Sequence, residues 1–94
     1  MSYELIFDPR ALKEWKKLGA TIREQFKKKL AEVLVNPRVE SARLRELEDC
    51  YKIKLKSAGY RLIYQVRDEK ITVFVVATGK REKSAAYSEA GKRL

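Results

Sequence analysis

Apolar and polar side chains alternate one by one over residues 51–56, which is the most regular pattern in the chain. Three apolar residues and three lysines take turns along it: Tyr51, Ile53 and Leu55, and Lys52, Lys54 and Lys56. A period of two predicts a β-strand with one apolar face and one cationic face. Like charges directly across a sheet are destabilising, so lysines crowded on one face either spread into solvent or gather to bind an anion.

The residues that follow predict the second half of a hairpin, a strand from Tyr60 to about Arg67. Residues 58 and 59 suit a two-residue turn, because the glycine at the second position can adopt a positive φ. In this register Lys56 lies opposite Arg61. Arg61 therefore joins the lysines on the cationic face.

Two stretches with apolar residues three or four positions apart predict helices. The first would begin at Asp8 and Pro9, because Asp is a good N-cap and Pro is favoured at the first helical position. Gly19 would end it. Its apolar stripe has four members: Ala11, Leu12, Trp15 and Leu18.

A second helix is predicted directly after the first, so the two should form a helical hairpin. A capping box over Thr21–Glu24 would begin it, and Asn36 and Pro37 would end it. Its apolar stripe has five members: Ile22, Phe26, Leu30, Val33 and Leu34. The region from Arg38 to Asp49 mixes Arg and Glu and is predicted to be an ordered loop with a helical turn.

Residues 3–7 form a short apolar run that predicts a first strand, and residues 71–78 predict a last one. The last run is almost continuously apolar and β-branched, as is typical of an interior strand covered on both faces. A turn at Asp68 and Glu69 would place Ile63 opposite Phe74. The cationic face then adjoins an apolar floor.

A C-terminal helix, capped by Ser84 and running from Ala85 to Leu94, is the candidate to cover that floor. The element order β-α-α-β-β-β-α predicts an α+β fold. A helical hairpin would pack on a small, mostly antiparallel four-stranded sheet, with a short helix at the C-terminus. Ninety-four residues suit one domain that spans 1–94.

The charge of the chain narrows the choice of partner. Lys and Arg number 22 and Asp and Glu 13, a net charge of +9, which is a strong footprint for a polyanion. The absence of histidine removes the usual catalytic triads and most zinc sites. No apolar run approaches the roughly 20 residues that cross a bilayer, and no signal peptide is visible. These features predict a cytoplasmic protein with no membrane partner.

The cationic face suits phosphate groups. Arg81 would leave the neighbouring strand beside it, and Tyr87 would lie just beyond. RNA carries its own nucleophile, the 2′-hydroxyl, so fixed cations that stabilise the phosphorane could support cleavage. No carboxylate cluster suited to Mg²⁺ is evident, so neither a metal nor another cofactor is expected. From the residues alone, polyanion binding ranks above catalysis.

Four segments resemble the RelE family of toxins from bacterial toxin–antitoxin systems: residues 49–66, 10–15, 76–82 and 87–89. The resemblance covers essentially the whole chain. It implies an mRNA endonuclease that acts in the ribosomal A site without a metal and leaves a 2′,3′-cyclic phosphate and a 5′-hydroxyl. It also implies three partners: a RelB-type antitoxin that displaces the last helix, the 70S ribosome, and operator DNA bound only as the toxin–antitoxin complex.

The resemblance also implies site residues. The catalytic set is Lys52, Lys54, Arg61, Arg81 and Tyr87. Arg45 resembles a further RNA-contacting position of the family. The other expected RNA contacts come from the basic residues themselves: Lys56, Lys80, Arg23, Lys27 and Lys28, the last three on a helix face that would bind ribosomal RNA. Lys52 and Arg61 would bind the phosphate, and Lys54 or Arg81 would neutralise the leaving oxygen. Tyr87 would stack on a base, and the choice of Lys52 or Tyr87 as general base stays open.

Two alternative functions do not involve cleavage of RNA. A ParE-like toxin shares the fold, poisons DNA gyrase and lacks the Lys/Arg/Tyr set. A plain nucleic-acid-binding module would bind RNA with steep salt dependence and release no cut product.

Overall fold

Four strands and two helices account for most of the residues that the structure, a computed structural model, describes, namely 2–80 and 90–94. In chain order they are β1 (Glu4–Phe7), α1 (Pro9–Lys16), α2 (Ala20–Val35), β2 (Cys50–Leu55), β3 (Tyr60–Arg67) and β4 (Thr72–Lys80). Short 3₁₀ turns occupy Glu40–Ala42 and Asp68–Lys70. Residues 90–93 are helical, whereas the predicted helix start with Ser84 and Ala85 lies outside the described residues.

The strands form one sheet in the order β1-β4-β3-β2. The β2–β3 and β3–β4 pairs are antiparallel, and β1 pairs with β4 in parallel. The predicted α+β fold with a mostly antiparallel four-stranded sheet is therefore confirmed. The prediction of β4 as an interior strand is confirmed as well, because it has a neighbour on each side.

The main core lies between the sheet and the two helices. α2 contributes Phe26, Leu30 and Val33, and α1 contributes Ala11, all of them buried. From the side of the sheet, the apolar face of β2 packs into the same core. None of the helices in the described ranges is long and apolar enough to cross a membrane.

α1 begins as predicted. The side chain of Asp8 accepts a hydrogen bond from the backbone N–H of Arg10 at 2.8 Å, and Pro9 stands at the first helical position. The guanidinium of Arg10 also bonds both carboxylate oxygens, which holds the pKa of Asp8 below its usual range.

The predicted junction between the helices was wrong in detail. α1 ends at Lys16, and Gly19 is the N-cap of α2 rather than the end of α1. Its carbonyl accepts from the N–H of Arg23 at 3.0 Å, so the helix has already started before the predicted capping box. The extended backbone of Gly19 (φ −65°, ψ 155°) lets the chain turn from one helix into the next without a longer loop.

The prediction that Leu12 belongs to the buried stripe of α1 was wrong. It is 37% exposed, whereas Ala11 is fully buried and Trp15 is half-buried against Phe7 and Phe26. Successive residues on a helix point about 100° apart, because there are 3.6 residues per turn. The face centred on Ala11 and Trp15 therefore leaves Leu12 at the margin.

The β2–β3 register differs from the prediction by two residues. Lys54 lies opposite Arg61, and Leu55 lies opposite Tyr60, so the loop has four residues, 56–59. The N–H of Gly59 bonds the carbonyl of Leu55 at 2.8 Å, and Gly59 has a φ of 72°. A shift by two keeps every side chain on its predicted face, because strand side chains have a period of two.

The β3–β4 register was also predicted wrongly. Ile63 lies opposite Ala77 rather than Phe74. One cause is the 3₁₀ turn over Asp68–Lys70, which lengthens the connection and ends at Ile71 in the left-handed region (φ 49°). The other cause is a β-bulge that shifts the register between Ile63 and Tyr64. Neither a 3₁₀ turn nor a bulge leaves a clear signal in residue alternation.

Two leucines provide a matched test of this core. Replacing the fully buried Leu62 by Ala should lower the free energy of unfolding by about 2–5 kcal/mol, because it leaves a cavity. Leu12→Ala, at the helix margin, should cost less than about 1 kcal/mol. Urea titration followed by circular dichroism measures both. Equal losses at the two positions would contradict the described packing.

Candidate active site

Three cationic residues lie together on the sheet face that points away from the helices. We call Lys52, Lys54 and Arg61 the cationic face. Lys54 of β2 is directly opposite Arg61 of β3. Residues paired in this way have their Cβ atoms about 4.5–5.5 Å apart, so the two charges start from neighbouring points on a rigid surface.

The alternation along β2 produces this face. Tyr51, Ile53 and Leu55 are buried in the main core and fix the strand by their other side. β2 is also an edge strand of the sheet. Lysines at an edge discourage pairing with another strand, so Lys52 and Lys54 have a protective effect in addition to their charge.

An apolar floor adjoins the cationic face, as predicted. It is a second buried cluster on the same side of the sheet: Leu44, Cys50, Ile63, Val76, Ala77 and Ala90. Ala90 belongs to the C-terminal helical residues and is fully buried. The expectation that the C-terminus covers this floor is therefore confirmed for the described residues.

The remaining sheet-borne candidates lie around this face. Lys56 is exposed in the β2–β3 loop rather than paired across the sheet. Lys80 is exposed at the end of β4, next to Gly79, which pairs with Arg61. Arg81 and Tyr87 lie outside the described residues.

Arg45 lies on the loop that precedes β2 and is exposed. Arg43 and Arg45 line one shallow cleft together with Glu40 and Ser41. The backbone N–H of Leu44 bonds the carbonyl of Cys50 at 2.8 Å, which holds this loop against the start of β2. The loop therefore presents two arginines from a fixed base.

Arg38 anchors the other end of that loop, a role that the sequence did not predict. Its guanidinium bonds Asp68, Asp49 (3.1 Å) and the hydroxyl of Tyr51 (3.2 Å). These bonds, above all the one to Asp68, hold the pKa of Arg38 above its usual range. Tyr3 and Arg38 both donate to Asp68, which lowers the pKa of that carboxyl. No local pattern could have indicated the network, since its members are distant in sequence.

One lysine of α2 lies near the cationic face. A cleft of about 190 Å³ between α2 and β2 is lined by Lys29 from the helix and by Lys52 and Lys54 from the strand. The three predicted contacts of α2 do not line this cleft; Lys27 and Lys28 are exposed, and Arg23 is half-buried. The edge position of β2 thus brings one lysine of the helix and two lysines of the sheet to one groove.

The described part of the chain gathers no group of three His, Cys, Asp or Glu side chains that could hold a metal ion. What the cationic face offers chemically is fixed positive charge. Such charge can bind a phosphodiester and stabilise the additional negative charge of a phosphorane.

A family model described as the ParE toxin of type II toxin–antitoxin systems matches residues 5–85. The chain belongs to the RelE/ParE toxin family. The mRNA interferase toxin RelE of Escherichia coli is 66% identical over 94 residues, which cover all of this chain and 99% of the relative.

Solved structures of this family agree with the fold. A mutant of E. coli RelE in the free state has a TM-score of 0.93 at 65% identity and covers all of this chain and 99% of its own. The same mutant in complex with a peptide of the antitoxin RelB has a TM-score of 0.84, with the same identity and coverage. The predicted resemblance to RelE is confirmed by these matches.

Cys50 is the one thiol of this RelE/ParE family member, and it is an inert part of the floor. It is fully buried, and burial raises the pKa of its thiol to about 11. Asp49 beside it acts in the same direction. The neighbouring lysines therefore do not make it a nucleophile.

The burial of Cys50 predicts slow labelling. At pH 8 its thiolate should be about 100-fold scarcer than that of a free cysteine, because the pKa lies well above the ordinary value of about 8.5. Reaction with a disulfide reagent at pH 8 should thus be slow in buffer and fast in urea. Rapid labelling of the native protein would contradict the burial. Cys50→Ala provides the blank for this measurement.

Proposed function

We propose that this chain is a ribosome-dependent mRNA endonuclease, the toxin of a type II toxin–antitoxin system that inhibits translation. The observation that carries the proposal is the pairing of Lys54 with Arg61, with Lys52 on the same face. A relative that is 66% identical over the full chain is an mRNA interferase, which supports the same reading.

The proposed reaction is attack of a messenger 2′-hydroxyl on the adjacent phosphate. The new P–O bond forms from the 2′-oxygen and the bond to the 5′-oxygen breaks, which leaves a 2′,3′-cyclic phosphate and a 5′-hydroxyl. Lys52 and Arg61 bind the phosphate and stabilise the phosphorane. No metal takes part.

The leaving 5′-oxygen needs a proton or a nearby positive charge. Lys54 is the easier proton donor, because a guanidinium hardly deprotonates. Arg81 follows Lys80 directly in sequence and would supply charge from the end of β4. Tyr87 stacks on a base, and either Lys52 or Tyr87 removes the 2′-proton.

RNA contacts outside the catalytic set come from two directions. Arg45, Lys56 and Lys80 border the cationic face and hold the messenger. Arg23, Lys27 and Lys28 of α2 bind ribosomal RNA. The groove lined by Lys29, Lys52 and Lys54 supports an RNA contact by α2, because it places a lysine of the helix beside the cationic face.

The proposed partner that controls the toxin is a RelB-type antitoxin. The E. coli relative has been solved with a RelB peptide bound, and a similar segment would displace the last helix here. Together the two chains would bind operator DNA and repress their operon. We place the whole single-domain toxin, residues 1–94, in the cytoplasm, where its ribosomal target is.

Cleavage should depend on the cationic face and on the 2′-hydroxyl. On 70S ribosomes programmed with a labelled messenger, Lys54→Ala and Arg61→Ala should each slow single-turnover cleavage by about 100- to 1000-fold, because each removes charge stabilisation. A 2′-deoxy substitution at the cleaved nucleotide should abolish the reaction. Lys13→Ala, an exposed lysine on α1, should cut at the wild-type rate.

A phosphorothioate at the scissile phosphate tests the metal-free part while the ribosome keeps its Mg²⁺. The sulfur substitution should slow cleavage. Replacing Mg²⁺ in part by Mn²⁺ should not restore the rate if no metal contacts that phosphate. Rescue by Mn²⁺ would contradict metal independence. Wild-type cleavage rates for both Lys54→Ala and Arg61→Ala would contradict the assignment of the active site.

Charge reversal on α2 tests the ribosomal contact. Lys27→Glu with Lys28→Glu should weaken binding to empty 70S ribosomes by about tenfold or more at low salt, because phosphate contacts are lost. Lys13→Glu with Lys70→Glu changes the net charge equally at exposed positions elsewhere. Equal weakening in both double variants would indicate net charge alone and exclude a specific surface.

The family model itself favours one rival, since its description is that of ParE. A ParE-like protein would inhibit DNA gyrase and leave messenger intact. A plain RNA-binding module would bind ribosomes without cutting. The cleavage assay separates the three, and a parallel gyrase supercoiling assay identifies the ParE outcome directly.

A further inference from the structure

The end of β4 lacks a neighbouring strand on one side. β1 pairs with β4 only as far as Phe7 and Val75. The backbone N–H of Asp8 still bonds the carbonyl of Val75 at 2.9 Å, and the chain then turns into α1. β4 continues for five more residues, to Lys80.

Two side chains take the place of the missing strand. The carbonyl of Val76 accepts a hydrogen bond from Arg93 Nη1 at 2.8 Å. Two residues further on, the backbone N–H of Thr78 donates to Glu14 Oε1 at 3.3 Å. Val76 is the extra residue of β4 at the bulge, Thr78 lies just beyond it, and both residues are buried.

Glu14 and Arg93 also bind each other. The guanidinium makes two bonds to the carboxylate, at 2.8 Å to Oε1 and 3.2 Å to Oε2. The side chain of Arg93 is only 6% exposed and that of Glu14 32%. A forked pair of this kind is directional, so it fixes the positions of the segments that carry it.

The pair therefore joins three segments: α1, the end of β4 and the C-terminal helical residues. Breaking it leaves a buried charge and two buried backbone groups to find new partners, which is costly. The end of β4 would then move. One of its neighbours in the sheet belongs to the cationic face, since Gly79 pairs with Arg61, while Thr78 pairs with the core residue Leu62.

We propose that Glu14 and Arg93 are positioning residues for the active site. They hold the end of β4, and through it Arg61 and Lys80, in the geometry that phosphate cleavage requires. The proposal rests on the endonuclease function proposed above. A displacement of about 1 Å at a reacting centre can cost about 100-fold in rate, so a small movement of this strand end would be visible in catalysis.

The experiment compares Glu14→Ala, Arg93→Gln and Arg93→Lys on programmed ribosomes. At saturating ribosome concentration, the first two should cut about 10- to 100-fold more slowly with little change in KM, because the α2 residues proposed to bind the ribosome are unchanged. Arg93→Lys should recover part of the rate, since Lys keeps the charge and donates a bond. The double variant should lose little more than either single one, because the two side chains act as a unit.

Two further measurements separate positioning from loss of stability. Urea titration gives the folded fraction at the assay temperature. Backbone amide NMR should show shifts for Thr78, Gly79 and Arg61 in the Glu14→Ala protein, and faster exchange of the Thr78 amide. Glu69→Ala, an exposed carboxylate in the turn before β4, should alter neither the rate nor these signals.

Three results would overturn the proposal. One is a folded Glu14→Ala protein that cuts at the wild-type rate. Another is a rate loss that only follows the unfolded fraction or appears in KM alone. The third is unshifted amide signals at Thr78, Gly79 and Arg61. If the wild-type protein itself cuts no messenger, the endonuclease proposal fails, and the NMR comparison still decides whether the pair positions the strand.

Discussion

The repulsion between Lys54 and Arg61 is the constraint on which this structure depends. Two cations directly across a sheet disfavour the pairing of their strands, and the apolar side chains on the other face help to hold the strands together. β2 meets this need with Tyr51, Ile53 and Leu55, all buried against the helices. The helical hairpin thus acts as the support that keeps a cluster of positive charge fixed in one place.

Fixed charge is more useful than mobile charge for phosphate chemistry. Lysines on flexible loops would have to be reoriented around the developing phosphorane, whereas charges on a sheet are already oriented. The cations of this protein occupy both kinds of position. Lys52, Lys54 and Arg61 stand on the sheet, while Arg45 and Lys56, which are proposed RNA contacts, lie on adjoining loops.

Local pattern predicted the elements well, and it predicted their relative positions less well. The alternation of β2 and the Asp8 cap of α1 each depend on neighbouring residues, and both were correct. The β2–β3 register depends on how the four-residue loop closes around Gly59. The prediction therefore placed Lys56 rather than Lys54 against Arg61, on the right face but two residues away.

By itself, the sequence determined which side chains share a face, because the period of two survives any even shift in register. It also determined the charge, the lack of histidine and the resemblance to the RelE family. Only the tertiary structure decided that Lys54 meets Arg61, that Arg38 ties the loop to Asp68, and that Glu14 and Arg93 complete the edge of β4. Glu14 and Arg93 are 79 positions apart, and a contact of that kind is set by packing of the whole chain rather than by any local pattern.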